Sequence, residues 1–572
     1  MEKQWQFHDP DPQTIRGLMR QAGCSPLIAR LLAIRGIRSK TQASRFLNPS
    51  LAHLTPPSEM AGMNAAVRRI HRALEKNEKI LLFGDYDADG ITATALLTAF
   101  LRRCAARVNY YIPHRLTEGY GLNAEFITKR AAPAGIGLII TADCGSGSAE
   151  AVRLARQAGI DTIVTDHHPI DRPPPDAIAV VNPTRADCPA NLAHLAGVGV
   201  AFYLVIALRA HLRQSGFWKN RREPNLKRLC DLVALGTVAD VAPLIGENRV
   251  LTAAGLQQIN QRPRAGIHAL RQLSASGDLP VDAEAIAFKL APRINAAGRL
   301  AHARMACELL LTDDRRKANR LAAALCRLNS RRQSMENELV GAILQRLESL
   351  PDLPARPALV VDGDRWHEGI LGIVAARLVR RFNRPALVIS THNGMSKGSA
   401  RSIEGIDLAA ALQQCGDLLE RFGGHPLAAG FSLPAGNIAA LRTRLETVVG
   451  RMAAGQDAGP RLSIDAHVPL ADVTVELMNA LALLGPFGQG NPYPLFMDTD
   501  VRVHASRTVA DRHRRMTLES RGGNGGRHAA IQFSVGSDAR AVDRFEKIAY
   551  RPQWNSWDGR KNIQLVIEDT VP

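Results

Sequence analysis

Three carboxylates fall within five residues in the segment Asp85-Tyr86-Asp87-Ala88-Asp89-Gly90. They follow the apolar run Lys79–Gly84 (KILLFG), which has the character of a strand, and precede a helix expected to start near Ile91. Carboxylates this close repel one another and hold their protons unless a cation sits among them. Hard oxygen donors of this kind suit Mg²⁺ or Mn²⁺. The spacing also matches the opening of a calcium-binding loop, but the twelfth position is Leu96, not Glu, and an apolar helix takes the place of the loop, so that motif is excluded. The other reading is an acidic cluster capping a helix N-terminus.

Three more segments carry chemistry of the same kind. Leu138–Ala142 leads into Asp143, and Ile163–Thr165 leads into Asp166-His167-His168. The apolar segment Leu235–Ala239 leads into Asp240. A single histidine is usually a satisfied surface or core residue, but two in succession after an apolar strand point to a site. Asp85, Asp87, Asp89, Asp143, His167, His168 and Asp240 together have the composition of a two-metal centre, with carboxylates to bridge ions and imidazole to favour Mn²⁺ over Ca²⁺.

Such a set needs a scaffold that brings strand ends together. Short apolar runs at 79–84, 108–112, 137–141, 162–165 and 177–181 alternate with amphipathic stretches. This grammar predicts a parallel sheet with crossover helices, whose ligands bind at the carboxyl ends of the strands. The expected order is an N-terminal extension over 1–60, packed on the next domain, then a catalytic α/β domain over 61–245. A helical connector follows over 246–350, in which 313–350 has one Gly and no Pro and reads as one long helix or two joined ones. A smaller α/β domain spans 351–455, a linker lies near 450–460, and short alternating strands over 461–572 predict a small β-barrel.

Composition bounds the function. The 572 residues are enough for several cores, and 46% hydrophobic with 22% charged residues excludes a disordered or coiled-coil chain. Against 54 Asp and Glu stand 72 Lys and Arg, a formal charge of +18 that points to a polyanionic partner, first of all nucleic acid. The eight cysteines form no CxxC pair, so a zinc ribbon loses support, and their scatter fits a reducing cytosol. No apolar run reaches the length needed to span a membrane and the first residues lack a secretory pattern, so a cytoplasmic location with no membrane partner is expected.

The motifs as a set resemble the DHH phosphoesterase superfamily, named for Asp166-His167-His168, and within it the single-strand-specific 5′→3′ DNA exonucleases. The resemblance runs through GDYDADGIT (84–92), IPHRLTEGYGL (112–122), TADCGS (141–146), TDHHP (165–169), LGTVADVAPL (235–244), PRINAAGRL (292–300), SARSIEGIDL (399–408), GGHPLAAGFSL (423–433) and LGPFGQGNP (484–492). It implies that Asp85, Asp87, Asp89, Asp143, His167 and Asp240 surround two divalent ions, Mn²⁺ or Mg²⁺. Asp89 and His168 are the expected catalytic residues, with His168 either a ligand or a stabiliser of charge on the scissile phosphate. Which of Asp85, Asp87 and Asp89 bridges the ions stays open.

The resemblance further implies a DHH-associated domain at 351–455 and an OB-fold at 461–572. Arg115, Arg299, Ser399 and Arg401 are the expected anchors for DNA phosphates, including the 5′ end, and Gly424 and His425 lie in a glycine-rich turn suited to close phosphate approach. Tyr120 would either stack on a base or pack into the core. The barrel segment 501–572 has 13 Lys and Arg against 8 Asp and Glu, and carries Phe533, Tyr550, Trp554 and Trp557, a pattern suited to sequence-independent single-strand binding. The implied activity is metal-dependent hydrolysis of single-stranded DNA to 5′-mononucleotides, in recombination and repair, with a single-strand-binding protein and a helicase as candidate partners. The alternatives are a DHH phosphodiesterase acting on short oligonucleotides or cyclic dinucleotides, and a non-catalytic DNA-binding scaffold.

Overall fold

The computed structural model describes residues 3–170, 173–274, 280–454, 461–510, 512–520, 526–533, 535, 542–557 and 560–572, without the side chains of 556, 557 and 560. The first α/β unit is a five-stranded sheet in the spatial order Arg107–Tyr111, Lys79–Gly84, Leu138–Ala142, Asp161–Thr165, Ala179–Val181, all parallel. In chain order this is 2-1-3-4-5. The direction of winding therefore reverses between the strands ending at Gly84 and Ala142, where a doubly wound sheet opens its ligand crevice. Period-2 alternation feeds two cores. Ile80 and Leu82 join Ile91, Leu97 and Val198 on one face, while Leu81 and Phe83 join Phe126, Ile139 and Ala151 on the other.

The connector is helical. Its long helix, Arg315–Glu348, is continuous. Its first half buries Ala318, Ala322 and Leu325 in the catalytic core, and its second half buries Leu339, Val340, Ile343 and Leu347 against the next unit. At 1.5 Å per residue it spans about 50 Å and ties two separate cores together. That next unit is a five-stranded mixed sheet in the order Arg421–His425, Ala428–Pro434, Met395–Arg401, Ala386–His392, Leu359–Asp364. Helix Glu368–Phe382 covers one face and helix Ile438–Ala453 the other.

The C-terminal unit is a barrel. Strands Phe496–Val509, His513–Ser520, His528–Gln532, Arg560–Val571 and Arg544–Trp557 pair in that order, and the first closes on the last. Tyr550 is fully buried and donates its hydroxyl to the Val468 carbonyl (2.6 Å), so it belongs to the core. Phe533 is exposed beside His513, and Trp554 carries Lys561 Nζ 4.1 Å from its ring centroid. The Trp557 side chain lies outside the described residues.

The N-terminal segment departs from expectation. Its strand Gln4–Phe7 pairs in parallel with Arg461–Ile464. Its helices Pro12–Ala22, Pro26–Ile34 and Lys40–Leu47 bury Leu18, Leu31, Leu32 and Ala43 in the same core as Leu470, Leu481, Phe496 and Phe545 of the C-terminal unit, not against the domain that follows them. The short turns at 51–59 are the part of this segment that packs on helices Met63–Glu75 and Gly197–Gln214 of the catalytic domain. Arg249 seals the junction: buried and stacked on the Phe46 ring, it donates to the carbonyls of Phe46, Leu483 and Leu484. Among the described residues no helix is long and apolar enough to cross a membrane.

Candidate metal and phosphate site

The sheet ladder continues one residue past each strand and so fixes where the carboxylates start. Asp85 N–H donates to the Ala142 carbonyl (3.2 Å), Asp143 N–H to Thr165 (3.0 Å) and Asp166 N–H to Val181 (3.2 Å). Asp85 and Asp143 thus emerge side by side at the crevice. Asp143 takes φ +65°, a left-handed conformation that costs energy outside glycine and is tolerated at sites held by their surroundings. Asp87 caps helix Ala88–Arg103, with Oδ1 accepting from the amides of Asp89 (3.0 Å) and Gly90 (3.1 Å). The helix-cap reading therefore holds for one oxygen of Asp87.

Asp89 faces a second helix terminus. Its two oxygens accept from Gly197 N–H (2.7 Å) and Val198 N–H (2.9 Å), the first amides of helix Gly197–Gln214. This is an anion at a positive dipole end. Glycine is required there, because a Cβ on Gly197 would lie 2.3 Å from Asp143 Oδ1. Asp240 comes from a different kind of element than Asp85 and Asp143, which follow strands. The segment Cys230–Ala239 is a helix, not a strand, and Asp240 is its C-cap. All residues from Cys230 to Val238 are buried, so the run has no polar face to reveal a helical period.

Seven residues singled out by their types meet in this crevice. His167 Nε2 lies 3.2 Å from Asp143 Oδ1, 3.8 Å from Asp240 Oδ2 and 3.9 Å from Asp89 Oδ2. The ligand atoms of Asp89, His167 and Asp240 form one cluster, and those of Asp85, Asp87 and Asp143 another, each within 4.8 Å. Asp85 Oδ1, Asp143 Oδ1 and His167 Nε2 are buried with no hydrogen-bond partner. Orphaned polar atoms of this kind are rare because each costs about 1–3 kcal/mol. Hard carboxylate oxygens around one imidazole fit Mn²⁺ and Mg²⁺.

The electrostatics agree. Burial, then the charge of Asp87, pushes Asp85 well above the carboxylate range, and burial with the charges of Asp89 and Asp87 does the same to Asp143. Burial and Asp87 raise Asp89 to about 7, and burial with Asp89 and Asp87 raises Asp240 to about 8. Burial and the charge of His168 lower His167 to about 4, which leaves it neutral with a lone pair to offer.

His168 behaves differently from His167. Burial opposes its charge, but the hydrogen bond and charge of Asp166 prevail and raise it to about 9. Its Nδ1 lies 2.8 Å from Asp166 Oδ1, a contact that favours the protonated imidazole. Asp166 is itself buried and accepts from the amides of Ser146 (2.9 Å), His167 (2.8 Å) and His168 (3.2 Å). Tyr120 is not core: the residue is 50% exposed, and its hydroxyl lies 3.1 Å from His168 Nδ1 and donates to the Asp143 carbonyl (3.3 Å).

A second group faces this crevice: Arg115 from the catalytic domain itself, Arg299 from the connector, and Ser399 and Arg401 from the smaller α/β unit. Arg115 stacks over Tyr86 (4.9 Å to the centroid), next to Asp85 and Asp87. Arg299 donates to the Gly369 carbonyl (3.1 Å), and Arg401 to the Ala400 carbonyl (2.8 Å) and Ser399 Oγ (3.4 Å). Burial, then the charges of Arg115, Arg332 and Arg401, pushes Arg299 down to about 9, and burial with Arg115 lowers Arg401. The charges of Arg115 and Arg401 thus act on Arg299, a concentration of positive charge suited to an anion.

The register puts Ser399 beside Gly430 and Gly423, and Arg401 beside Ala428 and His425, on one sheet face. His425 is exposed. Gly424 is turned the other way: at φ +149° a Cβ there would lie 2.3 Å from the Ala428 carbonyl, whereas one on Gly423 meets nothing within 4 Å.

Several participants escape a reading by residue type. Asp166 orients both histidines without joining the acidic clusters. The Gly197 and Val198 amides belong to the backbone. Asn295 Oδ1 accepts from Ala88 N–H (2.8 Å), and a Cβ on Gly298 would lie 2.3 Å from the Tyr86 carbonyl. Helix Ala291–Leu300 therefore grips the Asp85–Asp89 loop and, through Arg299, the smaller domain. The PRINAAGRL run hinted at this only through its two small residues beside an Asn.

Three known domains match the chain in order: the DHH family N-terminal domain over 79–237, the DHHA1 domain over 356–451 and the RecJ OB domain over 464–569. The single-stranded-DNA-specific exonuclease RecJ of Salmonella typhimurium is 37% identical, with 96% of each chain covered. That of Bacillus subtilis is 36% identical over 99% of this chain and 70% of its own. The crystal structure of RecJ from Thermus thermophilus in complex with Mn²⁺ superposes with a TM-score of 0.84 at 31% identity, covering 100% of this chain and 79% of that one, and the same protein has also been crystallised with Mg²⁺. With identity of this level along almost its whole length, the chain belongs to the RecJ family of single-stranded-DNA-specific exonucleases.

Proposed function

We propose that this chain hydrolyses single-stranded DNA from its 5′ end to 5′-mononucleotides, with Asp85, Asp87, Asp89, Asp143, His167 and Asp240 holding two Mn²⁺ or Mg²⁺ ions. The observation that carries the reading is the convergence of three orphaned buried atoms able to ligate a metal, Asp85 Oδ1, Asp143 Oδ1 and His167 Nε2. When bound, the ions supply Lewis acidity and a nucleophilic water for phosphodiester cleavage.

The residues divide the remaining work. Asp89 is fixed by the Gly197 and Val198 amides and Asp87 by its helix cap, so the donors are preorganised. His168, held protonated by Asp166, presents its other ring N–H toward a phosphate oxygen and offsets charge that grows in the transition state, which favours a stabilising role over ligation. Arg115, Arg299, Arg401 and Ser399 hold the terminal phosphate and the backbone beside it. The flat face of Gly423, Gly430 and His425 lets the strand lie against the smaller domain, and Gly424 serves by keeping that edge strand close-packed.

The barrel holds the 3′ portion of the strand through its basic surface, the exposed Phe533 and the half-buried Trp554 with Lys561 over its ring. A nuclease confined to single strands needs a supply of them. We therefore assign as partners a helicase that opens duplex and a single-strand-binding protein that keeps the product open, in the cytoplasm. The test is degradation of strands labelled at the 5′ or 3′ end with Mn²⁺, Mg²⁺ or EDTA. The reading expects immediate release of labelled mononucleotide from the 5′ end only, and none in EDTA. Release first from the 3′ label would refute it.

A further inference from the structure

The helix Cys230–Ala239 ends in a motif that normally calls for glycine. Ala242 N–H donates to the Thr237 carbonyl (3.2 Å) and Val241 N–H to Val238 (3.2 Å), which places Val241 at the left-handed position of a Schellman cap. Its φ is +59°. Among the described residues it is the β-branched side chain with positive φ, and a left-handed residue with a Cβ costs about 1–2 kcal/mol. Packing does not repay this, because Val241 is 65% exposed. A capping role alone would be better served by glycine, so the isopropyl group itself must have a use.

Its place says which. Val241 follows Asp240, whose carboxylate lies on the Asp89 and His167 side of the crevice. Arg115 lies over Tyr86, between Asp85 and Asp87 of the other acidic cluster. The C-terminal unit touches the loop that follows Asp240: Leu244 N–H donates to the Gln489 carbonyl (2.7 Å), and Gly490 sits against Pro243 and Ile245. A strand with its 5′ phosphate among the arginines and its 3′ portion on the barrel passes Val241 just after the metal cluster. We propose that Val241 is a specificity-determining residue, an apolar rest for the nucleoside on the 3′ side of the scissile phosphate, recognising base and sugar surface without reading sequence. This rests on the function proposed above.

Val241→Gly and Val241→Ala separate the roles, since glycine relieves the strain and alanine keeps most of it. Thermal unfolding, Mn²⁺ affinity, single-turnover cleavage and anisotropy of a labelled strand without divalent ions are measured on both and on the wild type. We expect Val241→Gly to unfold at a higher temperature than wild type, to bind Mn²⁺ unchanged and to lose about tenfold in kcat/KM and in strand affinity, as for one buried valine side chain. A strand with an abasic second nucleotide should weaken the wild type and leave the glycine variant unaffected. Wild-type kinetics and affinity in Val241→Gly would overturn the proposal, and so would a lower unfolding temperature, which would show that the fold holds the side chain. A wild type that binds the strand but releases no nucleotide would refute the exonuclease reading instead, and the anisotropy comparison would still decide the role of Val241.

Discussion

His167 Nε2 and Asp143 Oδ1 approach to 3.2 Å, yet neither atom has a hydrogen-bond partner. Both are buried, and His167 is held neutral, so the contact is neither an ion pair nor a satisfied core interaction. It is the join between two acidic clusters, and a cation on either side supplies what each atom lacks.

The pair Asp166 and His168 sets a pH dependence. The folded-state pKa of His168 is raised to about 9, so its charge is present at neutral pH and is lost as pH rises through that value. The same sign makes its pairing stabilise the fold at low pH and fade from its ordinary 6.5 upward to about 9. Asp166→Asn should move the alkaline limb of the kcat/KM profile to lower pH while leaving Mn²⁺ affinity within a few-fold. An unmoved alkaline limb would remove His168 as the charge stabiliser.

Gly197→Ala should disable the centre without unfolding the domain. The added methyl would collide with Asp143 Oδ1 and displace the amides that hold Asp89. We expect Mn²⁺ affinity and turnover to fall about 10–100-fold, as for other groups that orient ligands. Circular dichroism and a Mn²⁺ titration check this together.

Much of this site was legible because its signals are local. Asp85, Asp87 and Asp89 announce themselves by spacing, and β-branched runs placed Asp143 and His167 at strand ends. Asp240 was found at the end of an apolar segment whose element type stayed open, since a helix buried on every side loses its period. The N-terminal packing was not legible at all. The partner of Gln4 is Arg461, and no local pattern encodes a pairing across that separation. Backbone donors such as Gly197 N–H leave no trace in residue type.

Arg401→Ala tests end recognition. It should slow single-turnover cleavage of 5′-phosphorylated strands about tenfold or more, and of 5′-hydroxyl strands less, because a charge-assisted phosphate contact contributes about 1.5–3 kcal/mol. Equal slowing on both substrates would make Arg401 an internal backbone contact.

The shared core of the two termini changes how the barrel is to be removed. Deleting 461–572 alone strips the cover from Leu18, Leu31 and Leu32 and should give aggregation. Deleting 1–50 as well should leave a folded protein that still binds Mn²⁺ and cleaves short strands. Its affinity for long strands should have a shallower salt dependence, by about 0.7 in slope for each phosphate that the protein no longer neutralises. An unchanged slope would assign the barrel to another partner.

The account stands most directly on turnover of Asp143→Ala in saturating Mn²⁺, measured as mononucleotide released from a 5′-labelled single strand. Loss of this carboxylate removes the atom where the two clusters meet, and the predicted fall is about 10³-fold or more, with strand binding largely kept. Near-wild-type turnover in the folded variant would contradict the assignment of the metal centre.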